Sequence, residues 1–220
     1  VALFGGAYHG TFDGIMVKGV KTRDGTMRSV PLAPGIPEYM AENVIVLEWG
    51  DQRSFDVLKA HADELAAVLV EPTQSRRPDV QPKVFLHELR QLTQEAGIAL
   101  IFDEVVTGFR MHPGGAQALF DVQADITTYG KVVGGGMPIG IVAGKATYMD
   151  AIDGGMWHYG DRSFPRAEMT YIAGTFSKHP LTMAVVWATL DHIKSSGPQL
   201  QEKLEQRTSR LAEHLNAYFE

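Results

Sequence analysis

The sequence predicts an α/β domain with a mostly parallel central sheet. Three observations carry that prediction. Short apolar runs recur at residues 43–48 (Asn-Val-Ile-Val-Leu-Glu), 66–70 (Ala-Ala-Val-Leu-Val) and 98–102 (Ile-Ala-Leu-Ile-Phe). They are too short for helices and lack the strict alternation of half-buried strands, as expected of strands covered on both faces. Stretches with helical spacing separate them, and alternation of this kind builds parallel sheets. Finally, polar residues (Glu71, Gln74, Asp103 and Glu104) gather just after the runs, where ligands of open α/β sheets lie.

Taken in order, Val1–Phe4 reads as the interior of a strand, with no Met and no basic signal region before it. Residues 22–36 are rich in Gly, Pro and charge and predict a loop or hairpin. Ser54 is expected to open a helix to about Leu65, with Asp56 in its first turn. A second helix is expected from Pro82 to Ala96, stopped by Gly97, and a short one over 115–120. Further strands are expected over 125–128 and 139–143, and a long helix from Pro180 to about Lys194. From Pro198 onward, Leu200, Leu204, Leu211, Leu215 and Phe219 recur at helical spacing and still do so at Glu220. We read both ends as cut from a longer protein.

Composition removes several function classes. Lys+Arg number 20 against 26 Asp+Glu, a net charge of −6, so no basic surplus points to nucleic acid or to an anionic membrane. Hydrophobic residues make up 45% without a membrane-length apolar run. The absence of cysteine excludes disulfides and thiolate metal sites and fits a reducing, cytoplasmic location. The eight histidines are scattered and no HExxH is present, so no metal site is expected.

The chemistry concentrates in two places. The strand ending at Phe102 is followed by Asp103-Glu104, and 28 residues after Asp103 stands Lys131, shortly before Gly134-Gly135-Gly136. A lysine amine can form a Schiff base with an aldehyde cofactor, and an aspartate can keep a pyridine nitrogen protonated. Together they are the minimal machinery of pyridoxal phosphate (PLP) chemistry. A nucleotide P-loop does not fit: Asp125 stands where its first glycine should be, and Val132 where its Ser/Thr should be. Tyr8-His9-Gly10, Glu71-Pro72-Thr73-Gln74 and Gly174-Thr175-Phe176-Ser177 are each weak alone. Taken alone, the first reads better as a core tyrosine, and the last as an ordinary helix cap.

In this order and spacing, the motifs resemble the class III aminotransferases of PLP fold type I, and among them the glutamate-1-semialdehyde aminomutase-like group. The resemblance implies a three-layer sandwich, with 1–197 forming the PLP-binding large domain and 198–220 starting the helix toward a second domain. A phosphate-cup segment would precede Val1. It also implies that Tyr8 stacks on the PLP ring, His9 shapes the turn beneath it, and Gln74 contacts its phenolic oxygen. Asp103 pairs with the ring nitrogen, Val105 packs on the other face, and Lys131 holds the cofactor and shuttles the proton. Glu71 and Glu104 support the site, and Thr175 reaches the PLP phosphate of a partner subunit, which implies a homodimer. The stretch 153–181 is similar to aminotransferase domains embedded in polyketide and nonribosomal-peptide synthases.

The expected reaction is transfer of an amino group from an amino acid donor to a keto group, such as that of a β-ketoacyl thioester on a carrier protein. Met156, Trp157, Tyr159, Phe164 and Met169 would line an apolar channel or equally pack a dimer interface. Arg162 and Arg166 would hold a phosphopantetheine phosphate or a donor carboxylate. A 2,1-aminomutase and a non-catalytic scaffold of the same fold are the alternatives.

Overall fold

The computed structural model describes residues 1–23 and 25–219. It contains a six-stranded sheet and a separate hairpin. The sheet strands are β1 (Ala2–Phe4), β4 (Ile45–Leu47), β5 (Ala67–Val70), β6 (Ala99–Asp103), β7 (Ile126–Tyr129) and β8 (Ile141–Gly144), in the order β4-β1-β5-β6-β7-β8. The pairs β1–β4, β1–β5, β5–β6 and β6–β7 are all parallel. The α/β class with a mostly parallel sheet is therefore as expected. The hairpin is β2 (Val17–Lys21) with β3 (Met27–Pro31), paired antiparallel. The helices are α1 (Tyr39–Glu42), α2 (Arg53–Ala60), α3 (Lys83–Glu95), α4 (Gly115–Phe120), α5 (Ala146–Asp153), α6 (Pro180–Ser196) and α7 (Gln199–Phe219).

The chain divides into two compact units. The first comprises Val1–Asp103, Val122–Thr128 and Val142–Ile172; the second comprises Glu104–Asp121, Tyr129–Ile141 and Ala173–Glu220.

Within the first unit, alternation along a strand sends neighbouring side chains to opposite faces. Leu3 and Val46 join Val17, Ala41 and Val44 in a cluster beneath the hairpin and α1. Phe4, one residue on from Leu3, meets Phe85 of α3 edge-to-face at 5.4 Å and Trp49 at 5.3 Å. Helix α3 buries Phe85, Leu86, Leu89 and Leu92, the i, i+3/i+4 stripe of an amphipathic helix. This unit is thus layered as helices, sheet, then hairpin with α1. Truncating Leu89, which is fully buried, to alanine should cost about 3 kcal/mol.

A buried aspartate pins the amino-terminal end of β7. Asp125 accepts from Arg90 Nη1 of α3 at 2.8 Å, from Lys145 Nζ at 2.6 Å and from the Leu100 backbone N–H of β6 at 2.8 Å. Burial acts to raise its pKa, but the bonds from Lys145, Leu100 and Arg90 outweigh burial and lower it.

Within the second unit, α6 packs on the turn after Lys131. A Cβ at Gly135, which has φ 56, would run into Thr189 and Val185 of α6, so this turn requires glycine. Gln201 of α7 donates to the Phe109 carbonyl at 2.9 Å.

Several boundaries differ from expectation. The helix expected from Ser54 to Leu65 is α2, ending at Ala60 and followed by a 3-10 turn over Ala62–Glu64. Ser54 does not cap it. Its hydroxyl donates to the Glu48 carbonyl at 2.8 Å, while Asp51 accepts the Arg53 backbone N–H at 2.9 Å. Helices α1 and α5 were not foreseen.

Candidate functional site

In the first unit, the loops that follow β1 and β5 meet at the carboxyl ends of their strands, and Asp103 of β6 is bonded to the β1 loop. It is the last residue of β6 and is buried. His9 Nδ1 lies 2.7 Å from its Oδ2, and the Thr128 hydroxyl donates to its Oδ1 at 3.2 Å. Both oxygens are thereby fixed in direction. The His9 side chain is 4% exposed and its Nε2 is buried without a partner. An ordinary buried polar atom is bonded, so this exception calls for an explanation. The Thr73 hydroxyl is a second such atom.

The β5 loop is tied to the β1 loop. The buried Glu71 carboxylate accepts the backbone N–H groups of Tyr8 at 3.2 Å and Ser75 at 3.3 Å. Gln74 Nε2 donates to the Gly5 carbonyl at 2.9 Å. Gly6, at φ 85, has Gln74 Oε1 where a Cβ would come within 3.0 Å, so the close approach needs a residue with no side chain. Tyr8 is held by its backbone N–H, and the residue is 54% exposed.

The remaining expected residues belong to the second unit. Glu104 is fully buried and points its carboxylate at the start of α4, accepting from the Gln117 N–H at 3.2 Å, the Ala116 N–H and the Thr107 hydroxyl at 3.1 Å. Burial raises its pKa, and these bonds oppose the rise. Glu104 thus supports the loop that follows β6 by capping a helix. Val105 lies against the peptide before Lys131: a Cβ on Gly130 would fall 3.3 Å from its Cγ1. Thr175 is exposed in the turn before α6, where the Ser177 N–H reaches the Gly174 carbonyl at 3.0 Å.

Lys131 opens a 3-10 turn, Lys131–Gly134, two residues after β7 ends. It is exposed and its φ is 47. That is the left-handed region, uncommon for a residue with a side chain. Strained positions of this kind cluster where a ligand or reaction repays the strain.

The first unit therefore collects Tyr8, His9, Glu71, Gln74 and Asp103, and the second collects Glu104, Val105, Lys131 and Thr175. Sequence reasoning missed Thr128 and the bond from His9 to Asp103. Ninety-four residues separate those two, and no local pattern links them.

Residues 1–220 match the aminotransferase class-III family across their whole length. The chain belongs to the class III aminotransferases. Over 217 residues it is 41% identical to glutamate-1-semialdehyde 2,1-aminomutase 2 of Brevibacillus brevis, covering 96% of this chain and 46% of that protein. A transaminase solved with PLP bound superposes with a TM-score of 0.77 at 33% identity, covering 93% of this chain and 45% of that one. A β-phenylalanine aminotransferase from Variovorax paradoxus superposes with a TM-score of 0.70 at 30% identity, covering 96% and 42%. The chain spans less than half the length of these proteins.

Proposed function

We propose that this protein transfers amino groups with PLP as cofactor, and that Lys131 is the residue to which the cofactor attaches. The observation that carries the reading is the left-handed backbone of Lys131, an exposed amine on a strained turn directly after a central strand. The residues of the first unit fit such a group. Asp103 is a buried carboxylate able to keep a pyridine nitrogen protonated. The Tyr8 ring is open for stacking, and His9 Nε2 is a buried polar atom in want of a neighbour.

When bound, PLP supplies an electron sink for the carbon that loses its proton. Asp103 would hold the ring proton, with His9 and Thr128 fixing its two oxygens. Lys131 Nζ would serve as general base and acid. Gln74 would offer its amide to the ring's phenolic oxygen, and Val105 would give the ring an apolar contact. Residues 1–197 serve as the large domain and 198–220 as the start of a helix toward a second. Thr175 reaches the phosphate of the partner subunit in a homodimer.

For the acceptor, the proposal is a β-keto group on a carrier-bound acyl thioester. Its support is the segment 155–169, in which Met156, Tyr159 and Phe164 are largely exposed, as suits the wall of an apolar channel. Likeness to an aminotransferase named for β-phenylalanine, whose amino group sits on the β carbon, adds to it. Arg162 and Arg166 would hold the phosphopantetheine phosphate. A second reading, a 2,1-aminomutase, has equal support from the 41% identity to the Brevibacillus protein.

The test uses the full-length protein. Borohydride should bleach the cofactor's visible band and fix it onto Lys131 Nζ in a peptide map, and Lys131→Ala should abolish turnover. Normal turnover by that variant would sink the assignment. Co-expressing Lys131→Ala with Thr175→Ala chains should restore partial activity if sites are shared between subunits; a mixture that stays dead removes the shared site. Turnover of β-ketoacyl carrier protein with an amino donor supports the transferase. Turnover of glutamate-1-semialdehyde alone, without a donor, establishes the mutase instead.

A further inference from the structure

The two faces of the hairpin β2–β3 differ in character. In an antiparallel pair, residues directly opposite share a face, and the faces alternate along each strand. The register sets Val17 against Pro31, Gly19 against Ser29 and Lys21 against Met27, and these form the inner face. Val17 is buried in the cluster with Leu3 and Val46. The Ser29 hydroxyl accepts the Val46 N–H at 3.2 Å, and Lys21 Nζ pairs with Glu48 at 2.6 Å. The outer face is the set that remains: Lys18 opposite Val30, and Val20 opposite Arg28. Leu32, two residues on from Val30, continues the row, its N–H held by the Met16 carbonyl at 2.9 Å.

A sheet face turned to solvent normally carries polar side chains. Here Val20, Val30 and Leu32 are aliphatic, and Val20 and Leu32 are exposed. The residues between them are cations. Lys18 and Arg28 are exposed and, among the described residues, have no ion-pair partner. Residues 16–36 hold Lys18, Lys21, Arg23 and Arg28 against one carboxylate, Asp24, in a chain of net charge −6. Other exposed arginines of the first unit have acids at hand. Arg53 and Arg77 are paired with Asp51 and Asp79, and Arg162 and Arg166 have Asp161 and Glu168 close in sequence. Exposed aliphatic side chains bordered by unpaired cations have the make-up of an interface, apolar at its centre and charged at its rim. The complementary surface sets carboxylates around a small apolar patch.

Position narrows the choice of partner. Glu48, gripped by Lys21, directly follows β4, so the hairpin reaches the carboxyl edge of the sheet, the edge at which Asp103 lies. From β4 to β6 is three strand spacings, about 14 Å, a span that an extended phosphopantetheine arm covers. We propose that the outer face of β2–β3 docks the carrier domain that delivers the acyl substrate, through a carboxylate-rimmed apolar surface of that domain. This docking rests on the carrier-bound reading above and supplies the contact by which the carrier is recognised.

The experiment uses the full-length, cofactor-loaded protein, L-glutamine as donor, and one β-ketoacyl group on two supports: an acyl carrier protein and free pantetheine. Reversing both charges, Lys18→Glu with Arg28→Glu, should raise KM for the carrier-bound substrate roughly tenfold and leave kcat within about twofold. KM for the pantetheine thioester should not change, because that substrate needs no docking face. Wild-type KM for the carrier should rise with ionic strength, and the dependence should flatten in the variant. An unchanged carrier KM in the variant, with wild type turning the carrier over, removes the docking role and leaves the carrier reading standing. Equal losses on both supports make the lesion structural and overturn the proposal. A variant that elutes as a monomer where wild type elutes as a dimer assigns the face to a second copy and also overturns it. If wild type aminates pyruvate or the pantetheine thioester but never the carrier-bound group, the carrier reading falls and the docking with it.

Discussion

Asp103 and Asp125 are both buried aspartates at the ends of neighbouring strands, and their surroundings are opposite in kind. Asp125, just before β7, is clamped by two cations, Arg90 and Lys145, and by a backbone N–H. Asp103, at the far end of β6, is steered by an imidazole and a hydroxyl. The first arrangement uses a carboxylate to hold α3, β6, β7 and the segment after β8 together. The second orients a carboxylate in a buried place by bonds from an imidazole and a hydroxyl. One sheet thus keeps a cation-paired carboxylate at its amino-terminal end and an imidazole-bonded one at its carboxyl end. On the function proposed above, stability and reactivity would be carried by different residues of the same type.

That contrast can be broken by exchanging each aspartate for its amide. Asp103→Asn should give the largest effect, a fall in kcat on the order of a thousandfold in the full-length protein, from loss of the charge that keeps the ring nitrogen protonated. Its melting temperature should stay near wild type. A wild-type kcat would show that Asp103 is structural as well.

Asp125→Asn should do the reverse. It leaves Arg90, 16% exposed, without its carboxylate, which should cost about 3 kcal/mol in urea unfolding, while kcat per folded molecule is unchanged. The pH dependence follows from the lowered pKa. Asp125 contributes stability in full above the ordinary aspartate value of 3.8, and that contribution is lost as pH falls from there through the lower folded value. The Asn variant should lack this component. Equal acid sensitivity in both proteins would contradict the clamp.

His9→Leu sharpens the comparison with a smaller effect. It removes a group that steers Asp103, and kcat should drop roughly tenfold. His9→Asn, which retains a donor, should recover part of it and shift the cofactor's absorbance less. Equal losses in the two variants would mean that His9 matters for packing alone.

Much of this was legible in the sequence, though unevenly. The apolar runs located β4, β5 and β6 because fully covered strands need continuous apolar side chains. Asp103 and Lys131 stood out because charge beside such runs is costly unless it is used. Gly97 marked the end of α3. Helix α5 escaped notice because Lys145, at its start, is no capping residue, and the signal most helices carry there was missing. Ser54 misled for the opposite reason: a capping residue type whose hydroxyl is spent on Glu48. The partners of Asp103, Glu71 and Asp125 were beyond reach, since they are set by how distant segments meet in the sheet.

The contacts that close the cluster around Asp103 also fix when it can form. Tyr8 meets Glu71 across 63 residues, Gln74 meets Gly5 across 69 and His9 meets Asp103 across 94. Each must wait for a long loop to close, and such closures slow the folding of parallel sheets. A nascent chain cannot assemble this pocket until β6 has left the ribosome and docked beside β5, long after β1 is made. In refolding, protection of the Tyr8 amide from hydrogen exchange should therefore lag behind that of α3, whose bonds are local.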